Sequence, residues 1–209
     1  MSLESRLALV DDRSVASNPG RVSVQPWRFA THFPFWPVCF TGCLLASGGW
    51  AVVRPSFWPV PALTAVLHLL YWLRVRLRFR FGCVNPSQVV STAPFMLAVF
   101  TDLTTGDGHY PVIKILSHPV PRGTRYSVGD KCATVAMYSG STEAEHWEDF
   151  DPIMIDCATR SSSAIENVLR SIPANEWSSL EEGLKTLPLP LKAGIYPLRA
   201  LRRADPNPG

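Results

Sequence analysis

Acidic residues are absent from the middle of the N-terminal half. Between residues 34 and 82 there is no Asp or Glu, although the 209-residue chain holds 17 of them. An ordinary water-exposed surface is thereby excluded for that segment, since solvated helices carry charges on their outer face. Cysteine is also scarce. The five present, Cys39, Cys43, Cys83, Cys132 and Cys157, are odd in number and include no C-x-x-C pair. That excludes a disulfide framework and a zinc pattern, and fits a reducing compartment for the soluble part. Recognisable catalytic motifs are lacking as well. Residues 104–109 (TTGDGH) have two glycines but not the Lys-Ser/Thr and following helix of a phosphate loop. No G-x-S-x-G elbow occurs.

What stands in the acid-free stretch is apolar. Two runs, 33–53 and 55–73, are split only by Arg54, and Arg74, Arg76, Arg78 and Arg80 follow at once. Each run suits a helix of about 20 residues and about 30 Å, enough to cross the hydrocarbon core. The spacing predicts a transmembrane hairpin over 33–82. Trp36 and Trp50 are fourteen residues apart, as are Trp58 and Trp72. Antiparallel helices then bring aromatic residues to both water boundaries. Gly42, Ser47, Gly48 and Gly49 are small enough to let the helices approach closely, or are simply tolerated in lipid. His68 has no charged partner in either run, so it reads as a hydrogen-bonded neutral group before a functional one.

The arginine collar alternates with Val75, Leu77, Phe79 and Phe81, which fits either a strand or a continuing helix. In both forms Arg74, Arg76, Arg78 and Arg80 are lipid-binding candidates, each attracting anionic headgroups by about 1 kcal/mol. The collar also predicts orientation. Positive flanks stay inside, so both termini are expected in the cytoplasm with Arg54 outside.

Charge divides the chain further. Residues 1–33 are net +1, residues 34–82 net +5 and residues 83–209 net −3, giving the overall +3. The basic pI belongs to the collar, and a mildly acidic soluble part gives no footing for nucleic acid. Residues 1–32 read as a flexible cytoplasmic arm, too long and uncleavable for a signal peptide. Residues 199–209 read as a disordered tail.

Residues 83–198 read as a cytoplasmic α+β domain. A strand starts near Val89, followed by 95–103, 110–116, 131–138 and 152–158, with an acidic loop at 139–150. Two short helices come next. Ser163 and Glu166 form a capping-box pattern. Residues 189–196 are extended. About five strands before two helices predict a small bent sheet or partial barrel, with Trp147 and Trp177 as large core residues.

Val84-Asn85-Pro86, residues 98–103 (AVFTDL), 110–115 (YPVIKI), Tyr138-Ser139-Gly140, Trp147 with Phe150 and Pro152, and Gly194-Ile195-Tyr196 resemble an uncharacterised bacterial family, a domain of unknown function, over about 83–198. The resemblance implies no reaction, cofactor or catalytic residue.

Three functions follow as expectations. The first is a membrane-anchored cytoplasmic interaction or scaffolding module, without cofactor, that meets a membrane-associated protein partner and anionic lipid. The second is a membrane-bound enzyme or metal-dependent hydrolase using Asp102, Asp107, His109 or His146, whose side chains are usable ligands in no recognised spacing. The third is a lipid or small-ligand sensor built on the collar. The acidic run 143–151 reads as a solvated loop before a cation site. Cys132 and Cys157 read as small core residues.

Overall fold

The computed structural model describes residues 18–105, 109–141 and 144–198. Helix α1 (Pro26–His32) leads into α2 (Phe35–Val53), a 3-10 turn at Pro55–Phe57 and α3 (Pro59–Phe81). The strands are β1 (Cys83–Thr92), β2 (Phe95–Asp102), β3 (Pro111–Ser117), β4 (Lys131–Ser139) and β5 (Asp149–Met154). Helices α4 (Ser162–Ser171) and α5 (Ala174–Thr186) follow, and β6 (Gly194–Pro197) closes the order.

The prolines of α2 and α3 sit in their first turns, where no intrahelical N–H bond is lost. Helix α3 runs straight through the alternating arginines. Val75 and Phe79, four residues apart, thereby share one face and are buried. A strand would have left α3 short and its last carbonyls open. Instead the N–H groups of Gly20, Arg21 and Val22 donate to the carbonyls of Gly82, Arg80 and Phe79, each at 3.1 Å. The segment before α1 thus caps the end of α3. Gly20 permits this, since a Cβ there would lie 2.7 Å from the Phe79 carbonyl.

Residues 18–32 are therefore no flexible arm. Helix α1 buries Arg28, Phe29 and His32, and the Phe29 ring meets Trp72 and Phe79 edge-on at 6.3 and 5.9 Å. Periodicity over so short a helix is invisible beside the turn signals around it. The rest of that arm, 1–17, and the tail, 199–209, lie outside the described residues.

The domain is α+β: a curled antiparallel half-barrel in the order β5-β4-β1-β2-β3-β6. Six strands replace the expected five, because residues 194–197 pair with β3 from Val112–Pro197 to Ile115–Gly194. Strand β1 begins at Cys83, well before Val89. Pro86 hid it, since proline argues against a central strand, yet it pairs with Ala133 between β4 and β2. Strand β5 starts at Asp149, and Ile155–Cys157 is a 3-10 turn.

The curl has a direct marker. Strands β3 and β5 lie four places apart in the sheet, but Lys114 Nζ reaches Asp149 Oδ1 at 2.6 Å and the Phe150 carbonyl at 2.5 Å. At the same end, Trp147 N–H donates to the Leu103 carbonyl at 2.7 Å. The concave side holds Leu97, Val99, Phe150 and Met154. Leu180 and Leu187 cover Ala98, Phe100, Ile113 and Ile115 on the other face. The largest fully buried side chains are Phe79 and Phe150; Trp147 and Trp177 are half-buried at the rim. Ser161, not Ser163, caps α4, accepting from Ala164 N–H at 3.2 Å, and Glu166 pairs forward with Arg170.

Lys114→Met leaves the Phe150 carbonyl without its charged donor. The expected loss is about 1–2 kcal/mol, read as a lower melting temperature of the full-length chain in detergent. An unchanged melt would mean the seam holds without Lys114.

Candidate functional site

The concave neck between hairpin and domain is the principal site. It encloses about 2050 Å³ and is lined by the lower half of α3, by residues 19–24 and by the ends of β3, β4 and β5. A drug-sized ligand occupies about 300–1,000 Å³ in an enclosed cleft. The neck is larger and more open than such a cleft.

Apolar side chains of the hairpin face outward. Among the described residues, nineteen of the twenty-two exposed large hydrophobic residues lie from Trp27 to Phe81. Only 11% and 6% of the most apolar windows of the two helices are covered by protein. A hairpin buried in a soluble core would show the opposite. Phe40 stacks on His68 at 5.9 Å and meets Tyr71 at 5.7 Å, which ties the Trp36 end of α2 to the Trp72 end of α3. The indole N–H of Trp72 donates to His68 Nε2 at 2.8 Å. His68 thus has a local partner. Gly42, Gly48 and Gly49 face open space, with nothing within 4 Å of a built Cβ; they are not the contact between the helices.

The four collar arginines separate by helical geometry. Arg74 and Arg78 share one face, Arg76 and Arg80 the opposite one. Arg78 is already occupied: its Nη2 bonds the Asp151 carboxylate at 2.5 Å and the Asp151 carbonyl at 2.7 Å. Among the described residues, the side chains of Arg21, Arg74 and Arg76 make no hydrogen bond or ion pair. Arg80 lies over the Phe81 ring at 5.3 Å. Arg21, which carried no signal in the sequence, joins the collar because its N–H caps Arg80.

Two buried histidines brace the same joint, and sequence reading missed both. His32 Nδ1–H donates to the Arg28 carbonyl at 2.8 Å, and Arg122 N–H donates to its Nε2 at 2.8 Å. His118 Nδ1–H donates to the Pro119 carbonyl at 2.8 Å, and Met154 N–H donates to its Nε2 at 3.2 Å. A backbone N–H can only donate, so both rings are neutral with the proton on Nδ1. Burial lowers the pKa of each, that of His118 to about 4. Arg28 Nε meanwhile donates to the Asp156 carbonyl at 2.6 Å. The only sequence clue was a polar residue beside an apolar run, which is common.

The metal candidates fare differently from the collar. His109 Nδ1 lies 2.5 Å from the Asp102 carboxylate. Asp102 also accepts from the Thr104 and Tyr110 N–H groups at 3.0 and 2.9 Å, as the organiser of the β2–β3 turn. Burial pushes its carboxyl up, but these bonds and His109 hold it below the usual range. His146 stacks on Tyr110 with ring centroids 4.0 Å apart, and its Nδ1–H donates to the Trp147 carbonyl at 3.0 Å. Asp107 lies outside the described residues. Among the described residues no three His, Cys, Asp or Glu side chains converge on one point. The acidic run is divided instead: Asp149 serves Lys114 and Asp151 serves Arg78. Glu143 is outside the described residues. Burial pushes the Cys132 and Cys157 thiols up to about 12, so they are core residues, not nucleophiles.

An apolar helical hairpin with a basic neck, fused to an antiparallel half-barrel, defines a membrane-associated α+β protein. The chain belongs to a family described as "Protein of unknown function (DUF3239)", which matches residues 74–187. The match begins at the first collar arginine. The crystal structure of a candidate membrane protein from Corynebacterium diphtheriae shares 16% identity, with a TM-score of 0.44, over 55% of this chain and 98% of that one. No curated protein matches the chain.

Proposed function

We propose that this chain is a two-span membrane anchor that holds its half-barrel domain on the cytoplasmic face of an anionic leaflet. One observation carries the reading: at the domain end the hairpin is ringed by Arg21, Arg74, Arg76 and Arg80, whereas its far end has Arg54 alone. Helix α2 spans about 28 Å and α3 about 34 Å at 1.5 Å per residue. The longer α3 therefore carries its last turns out of the hydrocarbon core, and these are the turns with the arginines. Juxtamembrane arginines at that depth bind anionic phosphates and stay on the cytoplasmic side.

The domain does not swing on this anchor. Three backbone bonds from residues 20–22 and the packing of Phe29 and Phe79 fix it to α3. A domain held at one height and angle meets a membrane-associated protein partner at raised effective concentration. That supports an interaction module over a reaction at the Asp102 turn. In the test, a reporter active only in the cytoplasm is fused after Gly209, and a cysteine at position 54 is labelled from outside intact cells. The expectation is an active reporter and outside labelling. An inactive reporter with protected position 54 would invert the topology.

A further inference from the structure

The collar is not uniform, and its asymmetry points to a particular ligand. This inference rests on the lipid-facing reading above. Arg78 is neutralised by Asp151, and Arg74 shares its face. On the opposite face Arg76 and Arg80 stand one turn apart, and Arg21 is beside Arg80 through its 3.1 Å backbone bond. No acidic side chain occurs anywhere from residue 18 to residue 82. Arg21, Arg76 and Arg80 all line the neck, where the one acidic side chain, Asp151, is taken by Arg78, and none of the three has an ion pair among the described residues. Leu73, Leu77 and Phe81, exposed and four residues apart, form an apolar stripe next to them.

Arg21 adds a second observation. Its φ is +48°, which makes it the one non-glycine with positive φ among the described residues. Glycine holds that left-handed conformation without steric cost, whereas arginine is strained in it. The capping bonds at this position use only the backbone, so they do not require arginine. A charged side chain kept at a strained position is the pattern of a functional residue.

We propose that Arg21, Arg76 and Arg80 form a binding site for the headgroup of an anionic lipid that carries two phosphate groups. One phosphodiester leaves two of the three guanidinium charges unmatched. Two phosphates match most of the charge and accept forked hydrogen bonds, while an acyl chain lies along Leu73 and Leu77.

The test uses the full-length chain in nanodiscs of phosphatidylcholine. One set contains cardiolipin as the two-phosphate probe, and the other contains phosphatidylglycerol at equal phosphate. Co-purified lipid is counted by native mass spectrometry. The expected result is at least tenfold preferential retention of cardiolipin. Arg76→Gln with Arg80→Gln abolishes it, whereas Arg54→Gln, at the far end of the hairpin, leaves it intact. Arg21→Gly lowers retention severalfold with a melting temperature unchanged or raised. Equal retention of both anionic lipids, lost together in the collar variants, overturns the two-phosphate site and leaves the collar reading standing. Retention no better than for phosphatidylcholine overturns both. A lower melting temperature in Arg21→Gly makes that residue structural and removes it from the site.

Discussion

Gly82→Ala lowers the melting temperature of the full-length chain in detergent by about 6–12 °C, equivalent to about 3 kcal/mol. Gly82 has φ −63° and ψ 155°, a conformation open to any residue, so backbone freedom is not the issue. Space is. A Cβ there would lie 2.5 Å from the Arg78 carbonyl oxygen, 2.7 Å from Val135 Cγ1 and 2.8 Å from the Ala136 carbonyl oxygen. Two of these are backbone atoms on different elements, α3 and β4, and neither can rotate aside. Relief requires α3 and β4 to separate, which breaks the 2.8 Å bond from Gly82 N–H to the Arg78 carbonyl and loosens the Cys83–Ala136 pairing. Gly20→Ala acts on the same joint, through the Phe79 carbonyl and Val135 Cγ2. Because both variants press on Val135, their effects are not additive. Gly48→Ala is the control, since nothing lies within 4 Å and alanine favours helix. A Gly82→Ala chain that melts with the wild type would show that the joint yields, and the rigid attachment would fall with it.

The hairpin was legible because its signal is compositional. Two charge-free runs and four arginines do not depend on what folds against them. The alternation of Arg74 to Arg80 was ambiguous for a physical reason: a period of two fits a strand, and only the burial of Val75 and Phe79 by Phe29 and Val22 selects the helix. That burial needs α1, whose seven residues are too few to show a period. The strands that were misplaced share a cause. Pro86 and Pro152 are locally poor strand residues, and the sheet accepts them because Ala133 and Ala136 pair with them across β4. At the site, Arg74, Arg76, Arg78 and Arg80 could be named from sequence, but their division could not. Asp151 is 73 residues from Arg78 and Arg21 is 59 residues from Arg80, and no local pattern links such positions. The Asp102–His109 pair was seen as a ligand set because the sequence shows residue types, not the backbone N–H groups that occupy Asp102.

Acid is expected to loosen the domain through His118 before its carboxylates protonate. His118 closes the half-barrel opposite Lys114, taking the Met154 N–H of β5 on Nε2 while Nδ1–H is held by Pro119. A second proton has no acceptor, and the ring is 6% exposed against Phe33. Burial therefore lowers the pKa from 6.5 to about 4, with Asp151 favouring the charged form and His32 opposing it. In the unfolded chain the ring protonates near 6.5 and in the folded chain near 4. The stabilising contribution is complete above pH 6.5, declines as pH falls between those values and is gone below about 4. The loss amounts to about 3 kcal/mol. His32 adds to it in the same direction, its lowered pKa arising from burial beside Arg28, Arg122 and Arg160. Asp102 is held below the usual carboxylate range, so its contribution is lost at lower pH. Melting the full-length chain in detergent from pH 7.5 to pH 4 reads the slope. In His118→Gln the amide can accept from Met154 N–H but does not titrate. That variant should be less stable than wild type at pH 7.5 by about 1 kcal/mol and should lose most of the slope between pH 6.5 and 4. A slope that survives the substitution unchanged would assign the acid sensitivity elsewhere and leave His118 a packing residue only.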